Sequence, residues 1–209
     1  MKPQLTVLSE SEINRIHSGS LKLLDEPGFE IGSPDIYRLL LENGALKGER
    51  PNQARITKLM VKKALSTCPA DYLVAYLNGE RQSIRIHRHY STCLVDPKMN
   101  DCAGGNTEPV LKDCIDAARL ADACENVTMP YKMDLHYADV PDEDSLLQSN
   151  LALFENFTRH VICGPMNPED ARIWIEMAEI MASGPLNANP VISMLISPSS
   201  PMTLHNDVL

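Results

Sequence analysis

The feature that most constrains the fold is a regular alternation of apolar strands and helices in the second half of the chain. Short apolar runs begin near residues 127, 160 and 191, with helical periodicity between them. This alternation predicts parallel strands joined by helical crossovers. A repeat of about 30 residues is typical of a (β/α)8 barrel, which needs eight units. Only three such units are recognised. The expected fold class is therefore α/β with an incomplete TIM-type barrel, and a smaller open α/β sheet is the alternative.

Helices dominate the first seventy residues. Ser9-Glu10-Ser11-Glu12 matches a capping box, in which the Ser hydroxyl and the Glu carboxylate satisfy free backbone donors. Ser33, followed by Pro34, and Thr57 are the expected N-caps of two further helices. The N-terminal part is therefore expected to be helical before any strand begins.

A hairpin follows these helices. Asn78-Gly79 lies between the strand-like runs Tyr72–Leu77 and Arg81–Tyr90. This pair predicts a two-residue turn in which both positions have positive φ. Residues 91 to 107 read as a loop. We therefore expect an N-terminal helical and hairpin region over residues 1–106 and a partial (β/α) barrel over residues 107–209.

Charge and composition exclude several classes of protein. The net charge of −9 argues against binding to nucleic acid or to an anionic membrane, because nothing would offset the repulsion from phosphates. No apolar run is long enough to cross a bilayer. The N-terminal residues lack the apolar core of a signal peptide, so a cytoplasmic location is expected. The six cysteines show no CxxC spacing and are expected to be free thiols.

Several stretches together resemble the trimethylamine methyltransferase family of corrinoid-dependent amine methyltransferases. The opening and third helices and the later strand are similar to that family, as is the helix that leads into the barrel. These stretches are LSESEINRIHSGSLKLLDEPGFEI, RITKLMVKKALSTCP, TEPVLKDCIDAARLADACENV and VISMLISPSSPMTLHND. The resemblance follows the chain in order over nearly its whole length. Members of the family are barrels about twice as long, so it implies that this chain is a truncated, N-terminal part.

The resemblance implies an activity. Family members move a methyl group from a methylated or quaternary amine, such as trimethylamine or glycine betaine, to the Co(I) of a separate corrinoid protein. It implies that the chain binds no cofactor directly and that its partners are a corrinoid protein and a small methylated amine. The unpaired edges of an open sheet further predict self-association into a homo-oligomer.

Candidate substrate-binding residues follow the predicted strands, because barrel active sites lie at the carboxyl ends of the strands. A methylammonium group without N–H donors is held by charge and by aromatic faces, which favours Tyr131 and Asp134. His136 is suited to hydrogen-bonding a substrate carboxylate. Ser197 and Ser200 follow the last strand. Ordinary loop roles are the alternative for all five residues, and no catalytic residue is assigned.

Two other functions stay open. In the first, the chain is a non-catalytic remnant or interaction module, because an incomplete barrel exposes sheet edges. In the second, it is a metal-dependent barrel hydrolase, for which Asp134 and His136 are candidate ligands that need further ligands from later strands. His87 and His89 with Cys93 suggest zinc less strongly than they suggest a solvated hairpin face. No metal site is therefore predicted.

Overall fold

The computed structural model describes residues 6–84, 90–95, 98–100, 105–133 and 135–206. The chain divides into two compact units, one formed by Met1–Cys68 with Ser197–Leu209 and the other by Pro69–Ile196. This division differs from the predicted boundary after residue 106, because the hairpin groups with the parallel strands and not with the N-terminal helices. No helix among the described residues is long and apolar enough to cross a membrane.

The described residues form six helices and eleven short strands. The helices are α1 (Glu10–Asp25), α2 (Pro34–Glu42), α3 (Lys58–Thr67), α4 (Leu111–Ala123), α5 (Asp142–Asn156) and α6 (Pro168–Met181). The first strands are β1 (Phe29–Ile31), β2 (Leu46–Lys47), β3 (Gln53–Arg55), β4 (Leu73–Ala75), β5 (Arg81–Ser83), β6 (Met99–Asn100) and β7 (Asn106–Thr107). The last four are β8 (Tyr131–Met133), β9 (Val161–Gly164), β10 (Ile192–Met194) and β11 (Thr203–Leu204). The fold is mixed α/β, as predicted.

The first unit is built on a four-stranded sheet in the order β11-β1-β3-β2. Its small core centres on Ile31, Ala45 and Ala54, which are buried. Arg55 on β3 ties the end of α1 to this sheet, since its Nε donates to the backbone carbonyl of Asp25 (2.6 Å) and its Nη2 donates to the carboxylate (2.8 Å). The pairing of β1 with β11 joins Glu30 to Thr203, so this sheet depends on contacts between residues far apart in sequence.

The predicted helix caps are confirmed. The Ser9 side chain and Glu12 form the capping box of α1, Ser33 caps α2, and Thr57 accepts from the backbone N–H of Met60 at the start of α3. These bonds join residues three positions apart, so local sequence suffices to specify them. In contrast to its good cap, α1 contains no buried residue.

Acidification is expected to open the capping box of α1. Hydrogen bonds from the backbone N–H and hydroxyl of Ser9 lower the pKa of Glu12. Because the folded-state pKa is the lower one, the stabilisation is complete above the ordinary value and is lost as the pH falls through the folded value. The amide chemical shift and exchange rate of Ser9 should report this titration. Glu12→Gln keeps an uncharged capping acceptor and should abolish it; the same titration in Glu12→Gln would contradict the assignment.

The three predicted parallel strands of the second unit are confirmed as a sheet in the order β10-β9-β8. The registers pair Tyr131 with Ile162 and Ser193 with Ile162, so these side chains lie in one row across the sheet. β10 covers only Ile192–Met194 of the apolar run that begins at residue 191, and Leu195 and Ile196 are exposed. The alternation of strand and helix is thus observed without closure into a barrel.

The strand–helix series begins one unit earlier than the sequence predicted. Residues 90–93 were expected to lie at the end of a hairpin strand and in a loop. Instead, Tyr90 pairs in parallel with Val127, and Cys93 pairs in parallel with Tyr131. The backbone N–H of Tyr131 donates to the carbonyl of Thr92 (2.9 Å). The polar residues around Thr92 lack the apolar pattern of a buried strand, so only the pairing with β8 reveals this position.

The hairpin forms, but with a different turn. The backbone N–H of Tyr76 donates to the carbonyl of Glu80 (2.8 Å), which leaves a three-residue loop, Leu77–Gly79. Gly79 has φ of 88°, and Asn78 does not have positive φ. The two-residue turn predicted from Asn78-Gly79 is therefore wrong, because a single left-handed glycine is sufficient in the three-residue loop. The predicted second strand ends at Ser83, and residues 85–89 lie outside the described part of the chain.

Helices α4, α5 and α6 cover one face of the parallel sheet and form the larger core. Trp174 of α6 is fully buried, and its ring lies edge-on to Phe154 at 5.8 Å between centroids. Cys114 of α4 lies in the same core. Burial raises the pKa of the Cys114 thiol, and the neighbouring Tyr137 hydroxyl and Lys132 ammonium oppose that rise.

Candidate functional site

The parallel sheet has two chemically different faces. Lys132 and Cys163 are register partners on the face covered by α4–α6. Lys132 is only 2% exposed, and its ammonium lies 5.0 Å from the centroid of the Trp174 ring. Side chains of Tyr131 and Ile162 alternate with these residues and therefore belong to the opposite face, which we call the inner face. Sequence reasoning did not single out Lys132, since a lysine within a strand is ordinarily exposed.

The hairpin closes the inner face at the amino ends of the strands. Val74 and Tyr76 pack with Met129 and Ile162 in a second apolar cluster. The backbone N–H of Ala75 donates to the carbonyl of Pro190, at 3.1 Å. Burial raises the pKa of the Tyr76 phenol, and a hydrogen bond with Thr128 opposes that rise. With the amino end filled in this way, the carboxyl end is where a ligand can approach the inner face.

His160 fastens the hairpin to the sheet. It is buried, its Nδ1 lies 3.2 Å from the carbonyl oxygen of Ala75, and its Nε2 lies 2.8 Å from the hydroxyl of Ser193. A carbonyl oxygen only accepts, so Nδ1 carries a proton and donates to Ala75, while Nε2 is paired with the serine hydroxyl. His160 thus serves the closed, amino end of the sheet.

Tyr131 lies on the inner face and leans toward the carboxyl ends of the strands. A Cβ atom on Gly164 would collide with the Tyr131 hydroxyl and would lie 3.0 Å from its Cζ. The ring therefore crosses β9 over the one residue at its end that has no side chain. The ring is half-buried, so part of it stays accessible to a ligand.

A cleft of about 390 Å³ lies between the segment before α4 and the segment that joins β8 to α5. Glu108, His136 and Asp142 supply its ionisable groups, and Leu135 and Val140 are among its apolar residues. Nδ1 of His136 lies 3.2 Å from Oδ1 of Asp142, with both side chains about four-fifths exposed. Two carboxylates beside one imidazole make the cleft suited to a small cation.

The five predicted substrate-binding residues fall into three groups. Tyr131 is the first residue of β8, with its ring directed toward the carboxyl end of β9, and His136 follows β8; both belong to the second unit. Asp134 lies outside the described residues. Ser197 and Ser200 belong to the other compact unit, in the segment that leads to β11. The substrate-binding role stays a prediction for each of them.

Two site residues escaped sequence reasoning. Glu108 precedes α4, and its position became significant only when residues 90–93 proved to be the preceding parallel segment. Asp142 lies in the first turn of α5, where an acidic residue is favoured by the helix dipole, and it also lines the cleft. A search for acidic residues after every potential strand, including weak ones, would have found both.

The described residues contain no cluster of three His, Cys, Asp or Glu side chains arranged to hold a metal ion. Three residues named in connection with zinc or a barrel hydrolase lie outside those described residues. They are His87, His89 and Asp134.

Comparisons with known proteins give the relationship. The family model for trimethylamine methyltransferase matches residues 1–209. Trimethylamine methyltransferase MttB of Methanosarcina barkeri is 22% identical over 96% of this chain and 42% of that protein. Glycine betaine methyltransferase of Desulfitobacterium hafniense strain Y51 is 24% identical over 99% of this chain and 44% of that protein. The chain thus spans less than half the length of these relatives. It belongs to the trimethylamine methyltransferase family.

Proposed function

We propose that the protein transfers a methyl group from a methylated or quaternary amine, of the trimethylamine or glycine betaine type, to the Co(I) of a corrinoid protein. The family match over residues 1–209 carries this proposal. Within it, the parallel strands β8–β10 belong to a (β/α) barrel. The corrinoid protein acts as the second substrate, and the protein self-associates.

The chemistry of the carboxyl edge supports an amine as the first substrate. Carboxylates of Glu108 and Asp142 supply negative charge at the cleft, and Tyr131 supplies an accessible aromatic ring at the inner face. A methylated ammonium group is attracted by both kinds of group, and this holds also for a quaternary ammonium, which offers no N–H donor. His136 is placed to hydrogen-bond a carboxylate, if the amine carries one.

The reaction requires little general acid–base catalysis from these residues. The C–N bond of the ammonium breaks, its electron pair stays on nitrogen, and the methyl carbon bonds to cobalt, which passes from Co(I) to formally Co(III). The side chains of this chain bind and orient the amine and neutralise its charge while that bond breaks. Positioning is therefore the main contribution of this part of the protein.

A binding experiment tests the first half of the proposal. Choline and its uncharged carbon analogue 3,3-dimethylbutan-1-ol would be titrated into the chain by calorimetry, with trimethylamine and glycine betaine as competitors. We expect choline to bind, the neutral analogue not to bind, and at least one amine to compete. Glu108→Gln and Asp142→Asn should each weaken choline binding by roughly two- to fivefold, as expected for exposed charges. Glu125→Gln, an exposed acid outside the cleft, is the matched control.

A second experiment tests the transfer. Trimethylamine or glycine betaine is added to the protein with reduced cobalamin, and the Co(I) absorbance is followed. Donor-dependent loss of that absorbance is expected.

In the calorimetric experiment, equal affinity for choline and its neutral analogue would contradict the amine site. Choline binding without transfer from either donor would favour the non-catalytic interaction module.

A further inference from the structure

The strand register places Gly164 in the path of the Tyr131 ring. Met133 of β8 is paired with Gly164 of β9, and Tyr131 is paired with Ile162. The ring of Tyr131 thus reaches two residues along the neighbouring strand, toward its carboxyl end. A Cβ at position 164 would meet the Tyr131 hydroxyl, with Cζ at 3.0 Å and Cε2 at 3.1 Å.

Space explains this glycine better than backbone conformation does. Gly28, Gly44 and Gly79 have positive φ, which favours glycine at those positions, whereas Gly164 does not. An alanine at 164 could adopt the same backbone. All three of the nearest atoms to its Cβ belong to the Tyr131 side chain. The absence of a side chain at 164 therefore serves the position of that ring.

We propose that Gly164 is a positioning residue for amine binding: it lets the Tyr131 ring lie across β9, where the ring presents its π-system to the methylated nitrogen. This inference rests on the proposed function. Cation–π attraction requires the cation within about 6 Å of the ring centroid, so a ring displaced by an added methyl group loses much of it.

Four variants separate the ring, its hydroxyl and the glycine, with choline as the titrated probe. Tyr131→Leu removes the π-system and should weaken binding by about tenfold, in line with a partly desolvated cation–π contact. Tyr131→Phe should bind within about twofold of the wild type, because its ring remains. Gly164→Ala should lose about as much affinity as Tyr131→Leu. Gly164→Ala/Tyr131→Phe should recover part of that loss, because the hydroxyl is gone while Cζ and Cε2 stay close to the added methyl group.

The position of the Tyr131 ring is measured by NMR in the absence of a ligand. The NMR shifts of ¹³C-labelled tyrosine, assigned to Tyr131 by its loss in Tyr131→Phe, should move in Gly164→Ala. They should stay in place in Ser66→Ala, an exposed substitution in the other unit. If Gly164→Ala does not fold, folding of the double variant supports the same collision, and failure of both variants to fold would overturn the inference.

The outcomes separate the two proposals. Choline binding by Gly164→Ala at wild-type strength, or no recovery in the double variant, would overturn the role of Gly164. Absence of choline binding by the wild type would contradict the proposed function and the binding role together. In that case an unmoved ring in Gly164→Ala would also refute the positioning itself.

Discussion

Replacing Trp174 by alanine is expected to lower the free energy of unfolding by about 3–5 kcal/mol, the range for deleting a large buried aromatic side chain. Trp174 is fully buried and packs edge-on against Phe154. The centroid of its ring lies 5.0 Å from the Lys132 ammonium. The substitution therefore leaves a cavity between α5, α6 and the sheet. It also removes the cation–π contact of the buried Lys132 ammonium. Denaturant unfolding followed by far-UV circular dichroism measures this loss.

Circular dichroism is needed because Trp174→Ala has no tryptophan left to report unfolding by fluorescence. Trp174 is the single tryptophan of the chain, so fluorescence reports on this core only in variants that keep it. Trp174→Phe retains an aromatic ring and should cost clearly less than alanine. Leu120→Ala removes a side chain that is 68% exposed and should change stability by less than about 0.5 kcal/mol. A loss in Trp174→Ala no larger than in Leu120→Ala would show that the core does not depend on this ring.

His160→Ala is the second large effect, expected at about 2–5 kcal/mol because it combines a cavity with two buried polar groups that lose their partner. The carbonyl of Ala75 and the hydroxyl of Ser193 both bond to the imidazole. Without the ring, the hairpin loses a side-chain tie to the amino ends of β9 and β10. Amide exchange in β4 and β5 should therefore accelerate more than exchange in α4.

A double-mutant cycle checks the geometry of the pair. Ser193→Ala alone should cost about 1 kcal/mol, the net value of one neutral hydrogen bond. Once His160 is absent, the serine hydroxyl has no imidazole to bond, so the second substitution should cost less or even stabilise. Strict additivity of the two single losses would mean that the His160–Ser193 hydrogen bond does not contribute in solution.

Local chemistry explains why some elements could be predicted. Ser9, Ser33 and Thr57 each bond to a backbone N–H three residues away, so the start of a helix is encoded within one turn. Trp174 lies on an apolar helical stripe, and its burial follows from that pattern. The alternation of strands and helices in the second half requires crossover connections and thus parallel pairing.

Other features depend on pairings that no local pattern carries. Residues 90–93 have no apolar alternation and become strand-like only through hydrogen bonds to β8. The segment after β10, which contains Ser197 and Ser200, continues into β11, which pairs with β1. Both pairings are made between residues far apart in sequence, and the longer one joins Glu30 to Thr203.

The sequence by itself determined the helix caps, the parallel strand–helix order, the burial of Trp174 and the family, because each is written in residues close together or in an ordered series of such stretches. Only the tertiary structure decided that Tyr131 lies over Gly164, that His160 fastens the hairpin, and that Glu108 and Asp142 line one cleft. The physical reason is that steric fit and buried hydrogen bonds are set by register between strands, and register emerges only when the whole sheet is packed.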